Sequence, residues 1–155
     1  MRQVVTTTAL IAIFLLPSFH THAEQNTPPK GFRNYVWGDA PSKDLKQFSG
    51  PTDGVTMFVP AASKKSDPLF EIPVAEEALY FSNGKFYQGD VWLDGKGNFD
   101  KMIVSLTKQY GPPSVASPAI SQWKWKWPSS PVEVHVHYQE KFARTTVSFV
   151  NSKFE

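Results

Sequence analysis

Alternation of apolar and polar residues is clearest in the last third of the chain. Apolar and polar residues alternate from one position to the next in the segments 122–127, 132–139 and 144–150. Successive side chains of a strand point to opposite faces of a sheet, so a strand with one buried face shows this pattern. The three segments therefore predict three half-buried antiparallel strands.

A longer period marks the segment 98–110. Its apolar residues recur at the spacing of one helical stripe; they are Phe99, Met102, Ile103, Leu106 and Tyr110. Asn98 is placed to cap the start, and Gly111-Pro112-Pro113 follows the end. The pattern predicts a helix with one buried side.

The first half of the chain predicts a second, shorter helix. Leu45 and Phe48 are spaced for one helical face, with Pro41 near the first turn. Gly50-Pro51 would end this helix. Short strands are predicted on either side of it, at 32–37 and 55–59.

A tight hairpin is predicted around Asn83-Gly84, joining strands at 78–81 and 86–93. Asn-Gly supplies the two positive φ angles that a type I′ turn requires. Gly89 inside the second strand suggests a β-bulge.

These elements predict an α+β fold, with an antiparallel sheet and two helices packed on one of its faces. The order of helix, strands, helix and strands also fits a diverged duplication of a helix-plus-strands unit. No residue-level repeat accompanies this order.

The N-terminus has the three parts of an export signal. Arg2 precedes an apolar run over 4–16, and Ala23 stands before the polar Glu24. The run is shorter than the roughly 20 residues of a membrane span, which disfavours the alternative of a retained anchor. We expect residues 1–23 to be a signal peptide cleaved after Ala23, with export to the periplasm or beyond.

The remaining chain divides into two parts. Residues 24–31 are polar and Pro-rich, which predicts a flexible leader. Residues 32–155 are long enough for a single domain with its own core and too short for two. No second apolar run follows, so no membrane span is expected after cleavage.

Composition excludes several classes of function. The sequence has 16 basic and 14 acidic residues, far from the basic excess of a nucleic-acid-binding protein. It has no cysteine, which excludes disulfides, thiolate chemistry and a lipid-modified cysteine. A Gly-x-Ser-x-Gly elbow and a glycine-rich phosphate loop are both missing from the sequence. We therefore predict neither an enzyme nor a cofactor.

Three tryptophans in the 122–127 strand form the first candidate site. Trp123, Trp125 and Trp127 share one face of the strand, because they alternate with lysines. Exposed indoles would give a partner-binding surface. The alternative is that they fill the interface between sheet and helix, where their large area would stabilise a domain without disulfides.

Two further candidate sites carry charged or metal-binding groups. Glu133, His135 and His137 lie on one face of the 132–139 strand, at a spacing that can ligate zinc or copper. The alternative is a polar outer face. Lys64 and Lys65 lie in the Pro-rich segment 60–73, which is predicted to be a loop that can contact a partner.

Several short motifs resemble those of small exported bacterial proteins of unknown function. The shared patterns are Phe-Arg-x-x-x-Trp-Gly-Asp, Tyr-Phe-x-x-Gly-Lys, Phe-Asp before a helix that ends Tyr-Gly-x-Pro, and Trp-x-Trp. They fall here on Phe32, Arg33, Trp37, Gly38, Asp39, Tyr80, Phe81, Gly84, Lys85, Phe99, Asp100, Tyr110, Gly111, Pro113, Trp123 and Trp125. The resemblance implies a fold and an exported location, but no activity.

The sequence thus favours an exported, non-enzymatic factor that uses a face or an edge of its sheet to bind an envelope protein or assist envelope assembly. One alternative is an inhibitor or immunity-type protein that blocks an envelope hydrolase with the 60–73 loop. Another is metal handling through the His135-x-His137 pair.

Overall fold

The structure, a computed structural model, describes residues 27–61 and 66–155. The predicted signal peptide, together with Lys64 and Lys65, lies outside these ranges. Within them the chain forms ten strands and one α-helix. They are β1 (Gly31–Phe32), β2 (Tyr35–Val36), β3 (Leu45–Gln47), β4 (Val55–Pro60), β5 (Glu76–Ser82), β6 (Lys85–Asp94), α1 (Lys96–Tyr110), β7 (Val115–Ser117), β8 (Gln122–Lys126), β9 (Val132–Gln139) and β10 (Arg144–Asn151).

β3 to β10 form one antiparallel sheet. The spatial order is β3-β4-β5-β6-β10-β9-β8-β7, so two four-stranded meanders meet at the β6–β10 pair. Short turns keep strands that follow one another in sequence adjacent in space. The Asn83-Gly84 turn has φ angles of 48° and 76°, as predicted for a type I′ hairpin.

The prediction of an α+β fold with two helices on the sheet is wrong. The described residues are mostly antiparallel sheet, and α1 is their single α-helix. The predicted first helix is instead a turn followed by β3, which pairs with β4. A helix of this length is marginal by itself, whereas β4 presents backbone groups that need partners. Phe48, one of the two apolar residues behind the prediction, is 70% exposed.

α1 covers one half of one sheet face. It begins at Lys96 and buries Phe99, Met102 and Leu106, three of the five residues in the predicted stripe. The Phe99 ring lies 5.0 Å from the Trp123 ring across this interface.

The β1–β2 hairpin covers the other half of the same face, where the second helix was expected. The Trp37 and Phe86 rings stack at 5.1 Å, and the Gly38 N–H donates to the Phe86 carbonyl at 2.9 Å. The Trp37 indole N–H also donates to the Pro29 carbonyl at 2.8 Å. Residues at the end of the predicted leader therefore pack against the hairpin.

The two faces of the sheet consequently differ. We call the face under α1 and the hairpin the covered face, and the opposite one the open face. Among the described residues, neither the helix nor the hairpin lies over the open face. No helix in this part of the chain is long and apolar enough to cross a membrane.

Candidate functional site

Polar side chains from four adjacent strands form a row across the middle of the open face. Cross-strand pairing sets Asp90 (β6) opposite Ser148 (β10), Ser148 opposite His135 (β9), and His135 opposite Lys124 (β8). Residues that are directly paired in an antiparallel ladder project from the same face, with Cβ atoms about 5 Å apart. An acid, a hydroxyl, an imidazole and an ammonium group are thus lateral neighbours.

Asp90 is the buried end of this row, with only 6% of its surface exposed. The Gln88 amide donates to both carboxylate oxygens, at 3.0 and 3.1 Å. Burial raises the pKa of Asp90, and hydrogen bonds that include one from Ser148 oppose this change. Burial and the negative charge of Asp90 raise the pKa of Tyr80 to about 12.

Glu133 is an acid of the open face that contacts three neighbouring side chains. Its carboxylate lies 2.6 Å from Lys126 Nζ, 3.6 Å from Lys124 Nζ and 2.6 Å from His135 Nε2. Partial burial acts to raise its pKa, but the hydrogen bonds from Lys126 and His135 and the nearby lysine charge lower the pKa to about 2. One carboxylate therefore stays ionised among two lysines and an imidazole.

A depression of about 640 Å³ lies on the open face over β7 to β10. We call it the cationic cleft. Hydroxyl groups of Ser117, Thr146 and Ser148 also line it, and none of the described residues in its wall is Asp or Glu. The charged and amide side chains in its wall are Gln122, Lys124, Lys126, His135, His137 and Gln139. Such a lining consists largely of hydrogen-bond donors.

The edges of the sheet offer little for a partner strand. β3 and β7, the two edge strands, have three residues each. Beyond β7 the Ser114 hydroxyl accepts from the Lys126 N–H at 3.0 Å and donates to its carbonyl at 3.1 Å. Short edges and side-chain capping are typical protection against edge-to-edge pairing.

Comparison with known protein families, curated proteins and solved structures finds no match for this chain. The resemblance to small exported bacterial proteins thus stays a prediction.

The tryptophan row lies on the covered face, beneath α1. Trp125 is 2% and Trp127 7% exposed, whereas Trp123 is half-buried. The Trp125 indole N–H donates to the Gly111 carbonyl at 2.9 Å, just beyond the end of α1. The Trp127 indole N–H is buried and has no hydrogen-bond partner among the residues that the structure describes. Trp123 is thus the least buried of the three, and its ring packs against Phe99 on the covered face.

The predicted metal ligands do share the open face, but they do not converge on one point. Glu133 binds His135 and the two lysines, and His137 belongs to the next row, opposite Thr146 and Gln122. Among the described residues, no group of three His, Cys, Asp or Glu side chains is placed to hold a metal ion.

Asp90, Ser148, Gln88 and Tyr80 were not predicted as site residues. The sequence does carry a signal for them, because each is a polar residue that lies between two buried neighbours in its strand. The pairing of strands depends on residues that are far apart in the sequence. Asp90 of β6 pairs with Ser148 of β10, and more than 50 residues separate them along the chain. Alternation alone therefore could not bring them together.

Proposed function

We propose that the protein is exported and acts without catalysis, by binding an envelope protein through the open face of its sheet. The observation behind this proposal is the unequal covering of the two faces. One face is closed by α1 and the β1–β2 hairpin, while the other presents the polar row and the cationic cleft. The three-residue edge strands favour a face over an edge as the contact surface.

The state of Asp90 supports a functional role for this face. Burying an ionisable carboxyl group costs stability unless a cation pairs with it, and Asp90 is surrounded mainly by neutral donors. An apolar residue would suit a purely structural position on a sheet. Polar groups retained at such a cost are common where a surface recognises a partner.

Site-directed photo-crosslinking in the producing cells tests the proposal. A photoreactive residue placed at Gln122 or Gln139, on the open face, should form a discrete adduct with an envelope protein. The matched control positions are Lys101 and Val104, which are exposed on the outer side of α1. Adducts from the helix positions alone would overturn the assignment of the open face.

A second candidate, an inhibitor of an envelope hydrolase, is favoured by how the predicted loop is held. Arg33 donates to the Pro68 carbonyl at 3.0 Å and to the Asp67 carbonyl at 2.6 Å, while it also pairs with Glu77 at 2.9 Å. A loop fixed at its base loses less conformational entropy when it enters a cleft.

This candidate makes a distinct prediction. Arg33→Lys keeps the charge beside Glu77 but loses the forked geometry of the guanidinium group, so it should weaken inhibition of the target hydrolase. Arg144→Lys is the matched control, because Arg144 pairs with Glu76 and Asp94 away from the loop. Equal inhibition by both variants and the unaltered protein would exclude a role for the contacts between Arg33 and the loop.

A further inference from the structure

We propose that the cationic cleft binds an extended, acidic segment of a protein, with alternate carboxylates of that segment placed at Lys124 and Lys126. This inference rests on the proposed function, since it names the chemistry of the partner at the open face.

Charge complementarity selects an anionic partner. The two lysines face a single carboxylate, that of Glu133, so one positive charge is left over in this cluster. The rest of the cleft wall adds imidazole, amide and hydroxyl groups and no acid among the described residues. Such groups bind carboxylate oxygens by charge-assisted and neutral hydrogen bonds.

Spacing selects an extended peptide among possible anions. Lys124 and Lys126 are two positions apart on β8, which separates their Cα atoms by about 7 Å. Alternate side chains of an extended peptide repeat at the same distance. A segment that runs parallel to the axis of β8 can therefore offer one carboxylate to each lysine.

Glu133 shows that both lysines can reach a carboxylate on the open face. It already accepts from Lys126 at 2.6 Å and lies 3.6 Å from Lys124, as a bound acidic side chain would. An incoming carboxylate must share these lysines with Glu133. Removing the Glu133 charge should accordingly strengthen binding, which would not be expected if the lysines served only to hold Glu133 in place.

Peptide binding to the purified protein provides the test. A labelled peptide with the repeat Glu-Thr should bind, measured by fluorescence anisotropy, and a Gln-Thr peptide of equal length should not. The double variant Lys124→Met/Lys126→Met should weaken binding about ten-fold, as expected for the loss of two surface ion pairs. Glu133→Gln should tighten it about three-fold.

The matched control is Lys101→Met/Lys108→Met, which removes the same charge from the exposed side of α1. Its affinity should equal that of the unaltered protein. Equal weakening by both double variants would indicate a non-specific charge effect and overturn the proposal. Displacement of the peptide by inorganic phosphate at an equal concentration would also overturn the proposal, because it would show a site for small anions and not for an extended peptide.

Failure of this inference and failure of the proposed function give different results. If crosslinks form at Gln122 but the acidic peptide does not bind, the open face binds a partner of other chemistry. If the peptide binds with the predicted dependence on Lys124 and Lys126 but no open-face crosslink forms in cells, the cleft binds acidic peptides and the proposal of an envelope partner is wrong.

Discussion

Phe32 lies directly over the Cα atom of Gly89. A methyl group built on Gly89 would be 2.2 Å from the Cδ1 atom of Phe32, far inside van der Waals contact. The sequence predicts a β-bulge at Gly89. The register shift instead falls beside it, where Phe81 pairs with Phe86 and Tyr80 with Gln88. The role of Gly89 is to let the hairpin approach the sheet.

This contact predicts that Gly89→Ala destabilises the protein by about 1–3 kcal/mol, the typical cost of overpacking. Chemical denaturation measures the change. Phe32→Leu in the same background should recover part of the loss, because the two positions are coupled. Strictly additive effects of the two substitutions would show that the ring and the glycine do not interact as described.

Two neighbouring tryptophans should respond differently to the same change. Trp125→Phe removes the hydrogen bond to the Gly111 carbonyl, with an expected cost of about 1–3 kcal/mol in the free energy of unfolding. Trp127→Phe removes an indole N–H that has no partner in the described part of the chain, so it should cost less. Both variants lose the same volume, and the difference between them isolates the hydrogen bond. A larger loss for Trp127→Phe would contradict this arrangement.

The turn at Phe70-Glu71 should carry backbone strain. Both residues have positive φ, 51° and 64°, between Leu69 and Ile72, which exchange backbone hydrogen bonds at 3.0 Å. Asx-Gly pairs favour this geometry, and neither residue here is of that kind. Glu71→Gly should therefore stabilise the protein by about 0.5–1 kcal/mol in thermal or chemical denaturation.

Glu71→Ala is the control for this prediction, because it removes the same carboxylate but keeps a Cβ atom at positive φ. It should give no gain in stability. An equal gain for both variants would attribute the effect to charge and not to the backbone.

The two acids of the open face should give opposite pH dependences. The raised pKa of Asp90 means that its ionisation costs more in the folded than in the unfolded protein, so stability is highest below the unfolded pKa and is lost as pH rises. The unaltered protein should thus lose stability relative to Asp90→Asn as pH rises above the unfolded pKa of 3.8. The pKa of Glu133, lowered to about 2, places its contribution above the unfolded value of 4.5. The stability advantage of the unaltered protein over Glu133→Gln should shrink as pH falls from about 5 to about 2.

Urea denaturation at each pH measures both differences, with Asp44→Asn, on an exposed loop, as the reference substitution. Two variants that change in the same direction with pH would contradict the burial of Asp90 or the binding of Glu133 by the lysines.

Local patterns predicted the elements whose stability is local. The stripe from Phe99 to Tyr110 gave α1, because helical periodicity and its Gly-Pro stop lie within one segment. Alternation gave β8, β9 and β10 to within one or two residues, and Asn83-Gly84 gave the hairpin turn. Each of these signals needs only a few neighbouring residues, so it can be read along the chain.

Tertiary structure decided what depends on distant partners. The segment around Leu45 became β3 because β4 was available as a pairing strand, although its spacing favoured a helix. The face of the tryptophan row was fixed by where α1 packs, and the row from Asp90 to Lys124 was assembled when β6 paired with β10. Strand order comes from the combined burial of the whole sheet, and no local pattern encodes it.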